Sequence, residues 1–126
     1  MNEVQLIGNV GNEPSFSETK DEVYAKFKMA TDFTYTTSQK VKVKRTEWHI
    51  ISVKTSLLVE KVRKNIHTGA YVMVEGHIFT ERWNDKNTGE ERFQKVIQAT
   101  SLRILGKSKK FEQGPEVGEP ANTPVE

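Results

Sequence analysis

The sequence predicts a small all-β domain, a five-stranded antiparallel barrel with one short helix between its third and fourth strands. Three observations support this fold class. Apolar and polar residues alternate in most of the apolar segments, clusters of Gly, Asn, Asp and Thr separate these segments, and one segment repeats its apolar residues at helical spacing. A chain of 126 residues can bury a core of this size without disulfides, and it contains no cysteine.

The first three predicted strands alternate between apolar and polar residues. Val4 and Leu6 begin a short first strand that ends in a bend rich in Gly and Asn. A hairpin tip at Lys20–Asp21 leads into a second strand from Val23 to Tyr35, whose apolar residues alternate with lysines. Glu47 to Val53 forms the third strand, which has apolar residues on both faces. Lys40 to Arg45 is interpreted as the basic loop between strands two and three.

The helix and the last two strands follow. Thr55 or Ser56 can cap a helix, because Leu58, Val62 and Ile66 recur at four-residue intervals. Ala70 to Trp83 is a long fourth strand in which Gly76 predicts a bulge or sharp bend, and a hairpin over residues 84–89 leads to a fifth strand from Phe93 to Leu105. This order of elements is that of an OB-fold, a small Greek-key barrel.

We therefore predict an OB-fold domain over residues 1–106 and a disordered tail over residues 107–126. The tail holds three of the four prolines and few large apolar residues. No apolar run is long enough to span a membrane, and the first residues are not typical of a secretory signal. A cytoplasmic location follows as the simplest expectation.

Positive charge is concentrated in one part of the chain. The net charge is only +2, but residues 1–39 hold three Lys against six Asp and Glu, whereas residues 40–64 hold eight Lys and Arg against two Glu. A local basic band favours a nucleic-acid or other anionic partner, although many charge runs are only solvated surface. Because Lys40–Arg45 leads directly to Trp48, we infer a site for single-stranded nucleic acid, which combines a charged backbone with flat bases.

Aromatic and basic residues on the strands and hairpins form the predicted binding site. The residues expected to stack on bases are Tyr35, Trp48, Trp83, Phe79 and Phe33. The residues expected to contact phosphates are Lys26, Lys28, Lys40, Lys42, Lys44, Arg45, Lys54, Arg82, Lys86 and Arg92. The alternative for each of these aromatic residues is an ordinary place in the core.

No catalytic, metal or cofactor site is predicted. His49, His67 and His77 lie on different elements, and none forms a His-x-x-x-His or Glu-x-x-His pair. The sequence also has no glycine-rich phosphate loop, nucleophile elbow or closely spaced acidic pair. We therefore expect a protein that is not an enzyme. His49, which shares a strand face with Ile51 and Val53, is expected to make a buried hydrogen bond or a subunit contact.

From residue 2 to about residue 106, the sequence resembles the bacterial and mitochondrial type of single-stranded DNA-binding protein. Five segments carry the resemblance when taken in order: Asn2–Gly11, Ala30–Thr31, Thr46–His49, Val74–Gly76, and Arg82–Trp83 before an Asp-Lys-Asn-Thr-Gly hairpin.

The resemblance implies binding of single-stranded DNA without sequence preference, in replication, recombination and repair. It places stacking aromatics at Tyr35, Trp48 and Trp83. It also implies a homotetramer, for which we expect His49 and Tyr71 to be oligomer contacts. The implied location is the cytoplasm, in association with the nucleoid, with a processed mitochondrial protein as the alternative.

Two departures from the family pattern are present. Where the family often has a further stacking aromatic, this chain has Val53 or Lys54, so a cation can take the place of one ring. The chain ends in Asn-Thr-Pro-Val-Glu instead of the acidic Pro-Phe tip through which bacterial members recruit replication and repair proteins. Two alternatives remain: a plasmid, phage or primosomal accessory protein that binds single-stranded DNA or RNA without recruiting partners, and an interaction domain whose barrel binds protein or RNA.

Overall fold

The computed structural model describes residues 1–106, which form six strands and one helix. The elements are β1 (Val4–Val10), β2 (Ser15–Glu18), β3 (Val23–Thr36), β4 (Lys42–Val53), α1 (Ser56–Asn65), β5 (Tyr71–Asn84) and β6 (Glu91–Gly106). The strands form one sheet in the order β1-β5-β6-β4-β3-β2, and a further pairing of β1 with β3 closes five of them into a barrel. No helix in the described part is long and apolar enough to cross a membrane.

The predicted barrel with one helix is confirmed, with one strand added and with one parallel pair, since β4 runs parallel to β6 where Ile51 lies opposite Ile97. All five predicted strands are present, and α1 lies between the third and fourth of them, which are β4 and β5 in the structure. The sequence did not predict β2, which pairs with β3 from Ser15 opposite Lys26 to Glu18 opposite Val23. All four residues of β2 are exposed, so they lack the apolar alternation that identifies a half-buried strand. The predicted tail lies outside the described residues.

Most of the basic segment belongs to a strand, so its interpretation as a loop was wrong for residues 42–45, while Lys40 and Val41 do lie in the turn. Strands β3 and β4 pair as far as Thr36 opposite Lys42, and the turn between them occupies only residues 37–41. Lys40 adopts a positive φ of 66° in this turn. The alternation of Lys and Val is typical of a strand, and hydrogen bonding to β3 stabilises this part of β4 although it lies far from the core.

The core lies inside the barrel and beneath α1. Phe27 and Met29 of β3 are fully buried with Ile51 of β4, because alternate residues of these strands face inward. Helix α1 packs against β3 and β6. The helix face differs from the predicted one by a single position, since Val59 is buried whereas Leu58 is only partly buried.

A bulge occurs beside Gly76, where the sequence predicts a bulge or sharp bend, but its extra residue lies on the partner strand β6. The register of β5 with β6 shifts between the pairs Glu75–Ser101 and Gly76–Ala99. A Cβ atom at position 76 would lie 2.0 Å from the carbonyl oxygen of Gln98, so only glycine fits at this point. The extra residue is Thr100, so the bulged strand is β6, and beyond it the pairing of β5 with β6 continues to Asn84 opposite Glu91.

We expect the substitution Gly76→Ala to lower the free energy of unfolding by about 1–3 kcal/mol, because the added methyl group overlaps the backbone of β6. Chemical denaturation measures this change. Gly106→Ala is the matched control, since its Cβ would meet its nearest neighbour, Tyr71 Cβ, at an ordinary 3.5 Å. Equal stabilities of the two variants would contradict the close approach of β5 and β6.

Candidate nucleic-acid interface

The register of β3 with β4 separates core residues from surface residues. Ala25 pairs with Val53 and Phe27 with Ile51, and these side chains fill the barrel. The alternate residues, with even numbers from 24 to 30 on β3 and from 48 to 54 on β4, face outward. This outer face carries Tyr24, Lys26, Lys28, Trp48 and Lys54.

Strand β5 extends the same surface. The ammonium group of Lys54 lies 5.2 Å from the centre of the Phe79 ring and 5.6 Å from that of Tyr24, so two aromatic rings hold one cation. Lys26 Nζ lies 2.5 Å from Oε1 of Glu81 on β5. Residues of β2, β3 and β5, together with Lys54, surround a groove of about 610 Å³, which we call the outer groove.

The two tryptophans lie on this surface. Trp48 is 56% exposed, which excludes the alternative that it fills the core. Its ring covers Gly11, where a Cβ atom would lie 2.3 Å from Cζ3 of the indole. Trp83 is 45% exposed and lines the outer groove. Both indole rings therefore present surface to which a flat ligand can bind.

Phe33 and Tyr35 form a separate aromatic pair on the β3–β4 hairpin. Their ring centroids are 6.2 Å apart with an interplanar angle of 30°, and both rings are exposed. They pair across the hairpin with Arg45 and Val43, so they lie on the face opposite Trp48. The predicted stacking residues therefore fall into two groups, with Trp48, Trp83 and Phe79 in one and Phe33 and Tyr35 in the other.

The predicted phosphate-binding cations differ in their partners. Lys28 and Lys54 are exposed on the outer face, and no ion pair to either occurs within residues 1–106. Lys42 and Lys44 share the Trp48 side of the hairpin, and Lys44 lies 3.7 Å from Asp32. Lys40 lies in the turn of this hairpin.

Arg45 lies on β4 opposite Phe33, and the last three predicted cations, Arg82, Lys86 and Arg92, lie on the β5–β6 hairpin. The Nε–H of Arg92 donates a hydrogen bond to Oδ2 of Asp85 at 2.9 Å. The pKa of Asp85 is lowered mainly by the hydrogen bond from the backbone N–H of Asn87 and next by this one from Arg92. Arg82 stacks over Phe93 at 5.8 Å and lies 3.9 Å from Glu91. Both arginines are therefore engaged within the hairpin. Lys86 is exposed at its tip.

The three histidines have separate partners. His49 is half-buried with Nε2 2.8 Å from Thr31 Oγ1, and burial lowers the pKa of His49, partly offset by Glu47. His67 contacts Glu13, and His77 contacts Gln98. Within residues 1–106, no group of three His, Asp or Glu side chains is placed to hold a metal ion.

The hydrogen bond predicted for His49 is therefore present, while its role as an oligomer contact stays a prediction. The same holds for Tyr71, which is exposed and pairs with Asn9 on the neighbouring strand β1.

Sequence reasoning missed Tyr24 and Glu81 as members of the site. The alternation of residues could have found both. Tyr24 shares its strand face with Lys26 and Lys28, and Glu81 lies between Phe79 and Trp83 on one face of β5.

The barrel and its surface define an OB-fold binding domain whose outer face combines exposed indole rings with lysines. Residues 1–105 match the model of the single-strand binding protein family, and the chain belongs to this family. The family prediction is thus confirmed.

Similar proteins include Single-stranded DNA-binding protein 1 of Chlorobaculum tepidum, which is 33% identical over 107 residues. That match covers 84% of this chain but only 65% of the relative, so this chain spans less than two thirds of the relative's length. The single-stranded DNA-binding protein of Rickettsia felis is 34% identical over 111 residues, covering 83% of this chain and 71% of that protein.

Two solved structures are similar to this one. An SSB from Plasmodium falciparum, solved in complex with ssDNA, superposes with a TM-score of 0.76 at 26% identity and covers 83% of this chain and 95% of that one. The small single-stranded DNA-binding protein of Streptomyces coelicolor shares the fold, with a TM-score of 0.60 at 17% identity over 81% of this chain and 92% of that one.

Proposed function

We propose that this chain binds single-stranded DNA with little overall sequence preference and protects and organises it during replication, recombination and repair. One observation carries the proposal: Trp48 and Trp83 are both exposed on a surface that also presents lysines. Family membership and the names of its relatives support it.

Stacking and charge have different roles in this mechanism. Bases stack on Trp48 and Trp83, and this contact tolerates every sequence because each base has an aromatic face. Lys28, Lys42 and Lys54 attract the phosphates and release bound counterions, which makes binding dependent on salt. Phe33 and Tyr35 contact a part of the strand that passes across the other face of the β3–β4 hairpin.

We infer that the chain is not an enzyme and that it self-associates. The outer face offers stacking and ion pairing, which are means of binding. Ile7, Tyr71 and Leu105 are exposed on the outward faces of β1, β5 and β6, and this apolar surface supports contact with a second copy. A homotetramer is the assembly expected from the resemblance, with Tyr71 and His49 among its contacts.

Trp48→Ala should weaken binding of a labelled oligo-dT by about 1–3 kcal/mol, the range that base–aromatic stacking contributes in single-strand-binding proteins. Fluorescence anisotropy measures the affinity, and chemical denaturation confirms that the variant is folded. Leu57→Ala is the control, because Leu57 is 85% exposed on α1, outside the outer groove. A folded Trp48→Ala protein with unchanged affinity would contradict the proposed role of the indole.

Lys54→Gln should reduce the slope of log K against log salt concentration by about 0.7, the value for the loss of one phosphate contact on a single strand. The measurement is a set of oligo-dT titrations at several salt concentrations. Lys64→Gln removes the same charge from an exposed position on α1 and should leave the slope unchanged. Equal slopes for both variants would show that Lys54 does not contact a phosphate.

A further inference from the structure

A carboxylate, that of Glu81, lines the outer groove. Glu81 alternates with Phe79 and Trp83 on one face of β5, so it lies between two aromatic side chains. Its side chain is only 19% exposed. A carboxylate has no hydrogen to donate to a phosphate oxygen, so Glu81 offers the polyanionic backbone of a bound strand no favourable contact. The part of a nucleotide that can approach Glu81 is the edge of its base.

Lys26 holds this carboxylate in place and balances its charge. The ion pair joins Lys26 Nζ to Oε1 of Glu81 at 2.5 Å. Within residues 1–106, Oε2 of Glu81 accepts no hydrogen bond from the protein. An ionised carboxylate can accept about four hydrogen bonds, so Glu81 retains acceptor capacity after pairing with Lys26. The pair thus presents an oriented acceptor with little net charge, which suits a neutral base edge.

The spacing along β5 places the carboxylate within reach of a stacked base. Residues two apart in a strand are separated by roughly 7 Å, so Glu81 is one such step from Trp83 and one from Phe79. A base that stacks on Trp83 and projects along the strand brings its edge close to Oε2. Lys54 lies over Phe79, which leaves the Trp83 side as the place where we expect the base.

We propose that Glu81, held by Lys26, reads the edge of one base of the bound strand and favours a base with an exocyclic amino group. This inference rests on the proposed binding of single-stranded DNA. Cytosine, adenine and guanine each carry an amino group that can donate to a carboxylate. Thymine has only a ring N–H, which is flanked by two carbonyl oxygens that repel the carboxylate. The preference applies to one position of the strand, while the other contacts tolerate any sequence.

The test compares two oligonucleotides whose bases differ only on the edge formed by C4 and N3. 5-Methylcytosine and thymine share a methylated pyrimidine ring, so replacing each thymine of oligo-dT by 5-methylcytosine exchanges the C4 carbonyl and the ring N3–H for an amino group and an unprotonated N3, with little change in stacking. Affinities of both oligonucleotides are measured at one salt concentration for the wild type, Glu81→Gln and Glu91→Gln. Glu91 is the matched control because it is an exposed acid of β6 that pairs with Arg82 and does not line the outer groove.

The quantity to compare is the dissociation constant for the thymine strand divided by that for the 5-methylcytosine strand. We expect Glu81→Gln to lower this ratio by about threefold or more, because the Gln amide can donate to the thymine carbonyl as well as accept from the amino group. Glu91→Gln should keep the wild-type ratio.

An unchanged ratio in a folded Glu81→Gln protein overturns the inference. If the ratio is unchanged because both strands bind more weakly by the same factor, Glu81 only positions Lys26. In either case, the proposed function stands. A wild-type protein that binds neither strand overturns the proposed function itself.

Discussion

The antiparallel pairing of β3 with β4 is the constraint on which the rest of the structure depends. It runs from Ala25 opposite Val53 to Thr36 opposite Lys42. Because successive side chains of a strand face opposite ways, a slip of one residue would turn Trp48 toward the core and Ile51 toward solvent. The same pairing therefore closes the barrel, exposes the indole, and extends the basic segment into solvent.

The lysines of the outer face differ in their partners, which are aromatic rings for one and a carboxylate for another. Lys54 occupies the region where the family resemblance leads one to expect a further ring, and Tyr24 and Phe79 hold its ammonium group. An ammonium between two rings keeps its attraction for a phosphate, whereas a lysine paired with a carboxylate loses most of it. Lys54 and Lys26 thus differ, although they lie on one face: the first keeps its attraction for an anion and the second fixes Glu81.

The sequence alone was enough to predict the barrel from alternation, the position of α1 from apolar residues at helical spacing, and an irregularity of the sheet from Gly76. It failed for β2, because an exposed edge strand that pairs only with β3 needs no apolar pattern. It also did not predict that Tyr35 and Trp48 lie on opposite faces of their hairpin. That relation depends on the pairing register, which the turn at residues 37–41 helps to set and which the sequence alone does not reveal. The pairing of Lys26 with Glu81 is equally non-local.

The measurement that tests the central claim most directly is a titration of intrinsic tryptophan fluorescence with oligo-dT at low and high salt. The two indoles are the only tryptophans in the chain, and both are exposed on the outer face. If bases stack on them while lysines hold the phosphates, oligo-dT should quench the fluorescence at saturation, and high salt should weaken the binding. Fluorescence that does not change, together with no salt-dependent binding, would contradict the account.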